Sequence, residues 1–232
     1  MPDGVVDTAT YEFEWTTPTT LLWDYYAPFH DCGTKQRVGG IGDGGKWVCE
    51  VMGALQHSEC VVYSLGSHME TTFEEEIIEQ TPCKVHTFDH SLSSEQGKTL
   101  SHVSPRLAFH PYKVGMGHSI SAHYKEKSIH GIMEELNHSW IDVLKIDIED
   151  AEWEVLEALI SSGSLHFSQL QVEFHFRRVS LKMVLKVLAG LTDAGYRVFS
   201  TEPNHCCNGS HMEYSFIKVD SNGKPVLNMT LV

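Results

Sequence analysis

Strand-like and helix-like segments alternate along this chain from residue 59 onward, and this alternation limits its fold more than any other feature. Short β-branched or apolar runs predict strands over 60–65, 84–88, 106–112, 143–148, 170–176, 197–200 and 214–219. N-cap residues, helical apolar spacing and terminal glycines predict helices over 71–80, 129–136, 151–162 and 181–194. Such alternation is typical of a parallel sheet with helices on both faces.

The end of the chain departs from this alternation, because no helix separates the last two predicted strands. A loop over 201–213 is too short for the crossover that parallel neighbours need, so these strands are predicted to pair antiparallel. The expected fold is α/β and Rossmann-like, with a seven-stranded, mostly parallel sheet and an antiparallel last strand. Residues 1–50, rich in Thr, Gly and aromatics, are predicted to form an N-terminal cap segment on a main domain over 51–232.

Charge and composition exclude several classes of protein. The net charge of −14 and the absence of Lys/Arg blocks disfavour nucleic acid as a partner. No apolar run approaches the roughly 18 residues of a membrane span. The first ten residues lack the pattern of a secretory signal, so a soluble, cytoplasmic protein is expected, with a secretory compartment left open if the chain has been trimmed.

The six cysteines contain no CxxC pair, which argues against a zinc ribbon. A buried thiol is the simplest expectation for Cys60, which opens the first predicted strand. Cys32 and Cys49 flank a glycine-rich turn and could be bridged in an oxidising compartment. The disulfide state of Cys206 and Cys207 stays open.

Ligand-binding residues are expected where the first two strands end, because open α/β sheets bind ligands beyond the carboxyl ends of their strands. Gly66 would let the backbone approach a ligand closely. Asp89 ends the second strand, and its two oxygens can accept both hydroxyls of a ribose. The alternative for Asp89 is an Asx turn into Ser91. The pattern GxGxxG is absent, which argues against a dinucleotide enzyme.

Acidic residues end the fourth strand. Asp147 and Glu149 are predicted to leave it on one face, because alternate residues of a strand share a side. Such a pair suits a general base or a metal site. The alternative is that Glu149 and Asp150 only provide negative charge at the start of the next helix.

The fifth strand ends in a similar way, with Glu173 and His175 on one face. If the fourth and fifth strands are neighbours, these residues converge with the acids of the fourth strand. The combined oxygen and imidazole groups could hold a divalent cation, or could polarise a hydroxyl nucleophile without a metal. His110, His205 and His211 are possible additions to this group.

Together these segments resemble class I S-adenosylmethionine-dependent methyltransferases, and most closely the FkbM-type and methyltransferase-like groups. The resemblance is carried by Gly66, Asp89, the segments LKIDIED (144–150) and VEFH (172–175), and a glycine-rich stretch over 37–49. Two positions depart from the family pattern. Asp150 stands where glycine is usual, and Ser64 replaces the acid of the first motif.

The resemblance implies S-adenosylmethionine as the cofactor and assigns roles to individual residues. The implied cofactor-binding residues are Gly44, Gly45, Lys46, Gly66, Ser67, His68, Asp89, His90, Gly115, Met116 and Asp147. The candidate catalytic residues are Asp147, Glu149, Glu173 and His175. The expected function is methyl transfer to an oxygen or nitrogen of a small-molecule or glycan-like acceptor. The alternative is an inactive binding or interaction domain on the same scaffold. The oligomeric state stays open.

Overall fold

The computed structural model describes residues 26–101, 103–117, 125–204 and 211–227. In these residues the strands are β1 (Lys35–Val38), β2 (Lys46–Cys49), β3 (Val61–Leu65), β4 (Lys84–Phe88), β5 (Leu107–His110), β6 (Tyr112–Val114), β7 (Lys125–Lys127), β8 (Ile141–Ile146), β9 (Phe167–His175), β10 (Tyr196–Pro203) and β11 (His211–Lys218). The helices are α1 (Thr72–Gln80), α2 (Ser94–Ser101), α3 (Ile129–Leu136), α4 (Glu152–Ser162) and α5 (Leu181–Asp193).

Seven strands form the central sheet in the order β5-β4-β3-β8-β9-β11-β10. The five strands β5, β4, β3, β8 and β9 are parallel to one another, whereas β11 is antiparallel to both β9 and β10. This confirms the predicted α/β sheet with an antiparallel last strand. Because β11 runs in the opposite direction, its first residues lie at the edge where the parallel strands end.

Side chains alternate between the two faces of each buried strand, and each face packs against helices. On one face, Tyr63 and Leu65 of β3 belong to a core that includes apolar residues of α3, α4 and α5. On the other face, Val62 packs with Phe73 and Ile77 of α1. The sheet is therefore buried on both sides, which confirms helices on both faces.

Most predicted elements are present, and the differences have local causes. The predicted strand over 106–112 is two strands, β5 and β6, separated by Pro111, which has no N–H for a sheet ladder. Strands β10 and β11 extend further toward each other than predicted, so the loop between them is shorter. Helix α2 was not predicted, because its sequence SEQGKTLS has little apolar periodicity.

Two disulfides are present in the described residues, Cys32–Cys49 and Cys60–Cys83. The first is the bridge that the sequence left open. The second corrects the expectation of a buried thiol at Cys60. Cys60 and Cys83 immediately precede the paired parallel strands β3 and β4, so strand register places their Cα atoms 4.4 Å apart. Cys206 and Cys207 lie outside the described residues.

Strands β1 and β2 form an antiparallel hairpin that packs against β9 and β11 of the sheet. The side-chain amide of Gln169 on β9 accepts from Cys49 N and donates to Cys49 O, each at 2.9 Å. This contact fixes the hairpin across the sheet. Residues 1–25 of the predicted cap lie outside the described residues, and the division at residue 50 stays a prediction. Across the described ranges, no helix combines the length and apolar character needed to cross a membrane.

Candidate functional site

A cavity of about 620 Å³ opens at the edge where the parallel strands end. Residues that follow β3, β4 and β8, the end of β9 and the start of β11 all contribute to its wall. Described residues that line it include Asp43, Gly44, Gly66, Ser67, His68, Asp89, His90, Val114, Lys145, Asp147, Glu149, Glu173, His175, Arg177, Asn204 and His211. Many of the side chains in the cavity wall are therefore charged, and they stand beside apolar residues such as Phe88 and Val114.

Gly66 follows β3 and lies against the ends of both neighbouring strands, β4 and β8. Its N–H donates to Phe88 O at 2.9 Å, and its φ of +79° is in the left-handed region. A Cβ atom at this position would lie 1.7 Å from Asp147 O. Only glycine fits there. The next residue, Ser67, has a buried hydroxyl with no hydrogen-bond partner among the described residues, and it lines the cavity.

Asp89 holds the loops that follow β3 and β4. Its Oδ2 accepts from His68 N at 2.8 Å, and its Oδ1 accepts from Ser91 N at 2.8 Å and from Ser91 Oγ at 2.6 Å. The Asx turn considered from the sequence is therefore present. The same carboxylate lines the cavity, so the turn fixes its orientation there.

Strands β9 and β11 place two acids and two histidines in a block. Glu173 pairs in register with Glu213, and His175 pairs with His211. All four residues are buried. The His175 and His211 rings lie 4.3 Å apart between centroids, and His211 Nδ1 lies 3.3 Å from Glu173 Oε1. Asn204 Nδ2 also donates to that oxygen, at 2.9 Å.

Lys46 brings a buried cation from the hairpin to this block. Its Nζ lies 2.5 Å from Glu213 Oε1, 3.8 Å from Glu173 Oε2 and 3.9 Å from Asp147 Oδ2. Burial alone would lower the pKa of Lys46, but the three carboxylates outweigh it and raise the pKa. Burial, followed by the charges of Asp147 and Glu213, raises the pKa of Glu173 to about 8.

His175 is oriented by a second buried acid. Its Nδ1–H donates to Glu152 Oε1 at 2.9 Å, and Glu152 is fully buried at the start of α4. Burial disfavours the charged imidazole, but the hydrogen bond and charge of Glu152 outweigh it and raise the pKa of His175 to about 9. Trp153 Nε1 donates to His175 O at 2.7 Å. These contacts fix both the ring and the backbone of His175.

The turn after β8 is held in an unusual conformation. The strand ends at Ile146, and both Glu149 (φ 55°) and Asp150 (φ 79°) lie in the left-handed region. Strand alternation does not extend to Glu149, because β8 ends three residues before it, but Asp147 and Glu149 both line the cavity. Arg177 binds Glu149 Oε2 at 2.6 Å and lies 3.7 Å from Asp150 Oδ2. The φ of Asp150 explains why glycine is usual at this position in the family that the sequence resembles.

The structure brings most of the candidate residues to the cavity wall. The candidates that line it are Gly44, Gly66, Ser67, His68, Asp89, His90, Asp147, Glu149, Glu173 and His175. The candidates Gly45, Lys46, Gly115 and Met116 are not among the described lining residues, although Lys46 contacts two carboxylates that are. His110 bonds to His86 instead of lining the cavity, and His205 lies outside the described residues.

Sequence reasoning missed Glu152, Arg177, Asn204 and Glu213. For Glu213 a signal existed, because polar residues at 211, 213 and 215 alternate with apolar residues at 212, 214 and 216. The other three have no local pattern that distinguishes them from surface residues.

A family model described as a methyltransferase domain matches residues 4–218 of the chain. This chain belongs to that methyltransferase family. The family and the sheet order confirm the resemblance to class I S-adenosylmethionine-dependent methyltransferases, and with it the methyl donor expected from the sequence.

Two curated relatives of this methyltransferase domain share one name. Probable methyltransferase-like protein 24 of Homo sapiens is 33% identical over 130 residues, covering 52% of this chain and 34% of the human protein. Its counterpart in Rattus norvegicus is 36% identical over 130 residues, covering 52% of this chain and 34% of the rat protein. The match therefore spans about a third of the length of these relatives.

Among solved structures, the methyltransferase FkbM from Methylobacillus flagellatus has a similar fold. Its TM-score is 0.51 at 14% identity, covering 68% of this chain and 44% of that chain. At this identity the likeness shows the fold alone.

Proposed function

We propose that this methyltransferase domain binds S-adenosylmethionine in the 620 Å³ cavity and transfers its methyl group to an oxygen or nitrogen of a small-molecule or glycan-like acceptor. The observation that carries the proposal is the meeting of Gly66, Asp89 and Asp147 in one cavity at the ends of three adjacent parallel strands. The volume lies within the range of roughly 300–1,000 Å³ typical of small-molecule sites.

The residues around Gly66 and Asp89 fit the methyl donor. Gly66 lines the cavity at the end of β3, and the buried hydroxyl of Ser67 offers a hydrogen-bonding group that no described residue uses. The Asx turn leaves Oδ2 of Asp89 able to accept a further bond, because a carboxylate oxygen has two lone-pair directions and Oδ2 accepts from His68 N, whereas Oδ1 already accepts from both Ser91 N and Ser91 Oγ. These features support ribose binding by Asp89.

The bound cofactor supplies an electrophilic methyl on a sulfonium, which is already a good leaving group. The chain therefore has mainly to align the acceptor and remove its proton. We assign proton removal to Asp147, because it lines the cavity beside Gly66. Glu173 and His175 line the same wall and would orient the acceptor. Glu149 lies at the rim, where Arg177 holds it.

The acceptor class rests on charge. The cavity wall carries several carboxylates, and the chain has a net charge of −14, so a polyol, a sugar hydroxyl or a basic amine fits better than a phosphate-bearing nucleic acid. Exclusion of nucleic acid stays a prediction.

The alternative of an inactive domain was suggested by Ser64 in place of the first-motif acid. In the fold, the Ser64 hydroxyl donates to the buried carboxylate of Glu74 on α1. This carboxylate stands beside the strand that carries Ser64, but Glu74 is not among the described residues that line the cavity. Cofactor binding without turnover on a broad panel of acceptors would support the inactive alternative.

The two disulfides bear on the compartment. Structural disulfides are rare in cytosolic proteins, because the thiols are kept reduced there. We therefore propose an oxidising compartment in place of the cytoplasm expected from the sequence. A count of free thiols in the natively produced protein tests this.

Calorimetry with S-adenosylmethionine tests the cofactor site. Asp89→Asn is expected to weaken binding about 10- to 100-fold, because hydrogen bonds to a charged group contribute about 1.5–3 kcal/mol. The control is Asp193→Ala, an exposed acid at the end of α5. Equal affinity in Asp89→Asn and the wild type, with both proteins folded, would remove the ribose assignment.

A further inference from the structure

We propose that Glu173, His175 and His211 bind one divalent transition-metal ion at the acceptor end of the cavity. The three side chains come from two adjacent antiparallel strands, β9 and β11, and all three line the cavity. Each is buried, and one ligand atom from each lies within 4.8 Å of the others.

The spacing of the ligand atoms fits a small ion. His211 Nδ1 and Glu173 Oε1 are 3.3 Å apart. Two ligands of a tetrahedral ion with bonds of about 2.0–2.1 Å lie about 3.3 Å apart, so this pair needs little movement to share one. The pair of His175 and His211 is held by strand register and not by loops, which makes the arrangement rigid.

An independent feature supports the site, namely the buried carboxylate behind His175. Histidines that bind metals usually donate their other ring N–H to an acid or carbonyl. His175 does so through Nδ1 to Glu152, which leaves Nε2 as the coordinating nitrogen. Glu152 is fully buried, and its Oε2 has no hydrogen-bond partner among the described residues.

The ammonium of Lys46 does not occupy this position. Lys46 lies 3.8 Å from Glu173 Oε2, whereas His211 faces the other oxygen, Oε1. The two oxygens of Glu173 thus point to different partners.

The ligand chemistry selects the ion. Two imidazoles and one carboxylate suit Zn²⁺, Fe²⁺ or Co²⁺ better than Mg²⁺ or Ca²⁺, which prefer oxygen ligands. Three protein ligands leave coordination positions open on the cavity side. An acceptor hydroxyl bound there would lose its proton more easily. This last consequence rests on the proposed methyl transfer, whereas metal binding itself does not.

The test is a titration of chelator-treated protein with Zn²⁺ by calorimetry and with Co²⁺ by visible absorption. The wild type is expected to bind one ion per chain with a Co²⁺ spectrum of nitrogen and oxygen ligands, and to release protons on binding. His211→Ala and Glu173→Gln are expected to weaken the affinity at least 100-fold. Mg²⁺ should not compete at equal concentration.

Because the chain has 15 histidines, the control is His130→Ala, an exposed histidine on α3. Its affinity should equal that of the wild type. Binding that His211→Ala leaves unchanged, or no binding of either ion at micromolar concentration, overturns the proposal. If His211→Ala fails to fold, His211→Gln replaces it, and X-ray absorption of the Co²⁺ wild type must still show two imidazoles. S-adenosylmethionine binding is measured separately, so failure of the metal site leaves the proposed function standing.

Discussion

Replacement of Gly66 by alanine tests whether the close contact between the ends of neighbouring strands stabilises the fold around the cavity. An alanine Cβ would lie 1.7 Å from Asp147 O, whereas real Cβ contacts stay beyond 3.0 Å. The ends of β3 and β8 would have to separate by more than about 1 Å. This movement threatens the hydrogen bonds Asp147 N to Leu65 O, at 3.0 Å, and Gly66 N to Phe88 O, at 2.9 Å.

The magnitude follows from two contributions. The left-handed φ costs alanine about 1 kcal/mol relative to glycine. Loss or distortion of two buried backbone hydrogen bonds adds about 1–2 kcal/mol each. We expect Gly66→Ala to lower the free energy of unfolding by about 3–5 kcal/mol.

Gly163 provides the matched control. It ends α4 with φ +68°, and a Cβ there would meet nothing within 4 Å. Gly163→Ala therefore carries the conformational cost alone, about 1 kcal/mol. Urea unfolding followed by circular dichroism measures both variants, and calorimetry measures their affinity for S-adenosylmethionine. If the two variants lose the same stability, the reasoning from close approach is refuted.

Two further predictions concern stability. Burial, then the neighbouring His110 and His138, lowers the pKa of His86 from 6.5 to about 3, so the unfolded chain binds more protons between these values and stability is expected to fall as pH drops from about 6.5 toward 3. After allowance for partial exposure, the loss of stability due to His86 is about 2 kcal/mol. The free energy of unfolding of His86→Gln, plotted against pH, should therefore change less over this range than that of the wild type. Equal slopes in the two plots would contradict the prediction. Replacing both Cys60 and Cys83 by alanine opens a loop of 23 residues and is expected to lower the free energy of unfolding by about 3 kcal/mol. Urea unfolding measures this change. An unchanged urea midpoint would show that this bridge does not stabilise the fold.

Much of the fold could be predicted because its signals are local. The apolar run before Asp147 and the amphipathic helix after it are visible in consecutive residues, and they recur in the structure as β8 and α4. The turn between them was not predictable in detail, because its left-handed Glu149 and Asp150 are stabilised by Arg177, nearly 30 residues away.

In the candidate site too, some residues could be predicted from local sequence signals and others could not. Asp89, Glu173 and His175 stand at the ends of recognisable strands, so sequence reasoning found them. The contact between Lys46 and Glu213 joins residues 167 positions apart, and no local pattern predicts it. Cys60 shows the same limit, since its partner became evident only from the register of β3 and β4.

The order of elements, the antiparallel final strand and the polar residues at strand ends were determined by the sequence alone, because hydrophobic periodicity and turn residues act over a few positions. Only the tertiary structure decided that the hairpin places Lys46 against β11, that Glu152 supports His175, and that His211 faces Glu173. Those contacts depend on strand register and packing between distant segments, where the free energy comes from burial and from charge pairing across space.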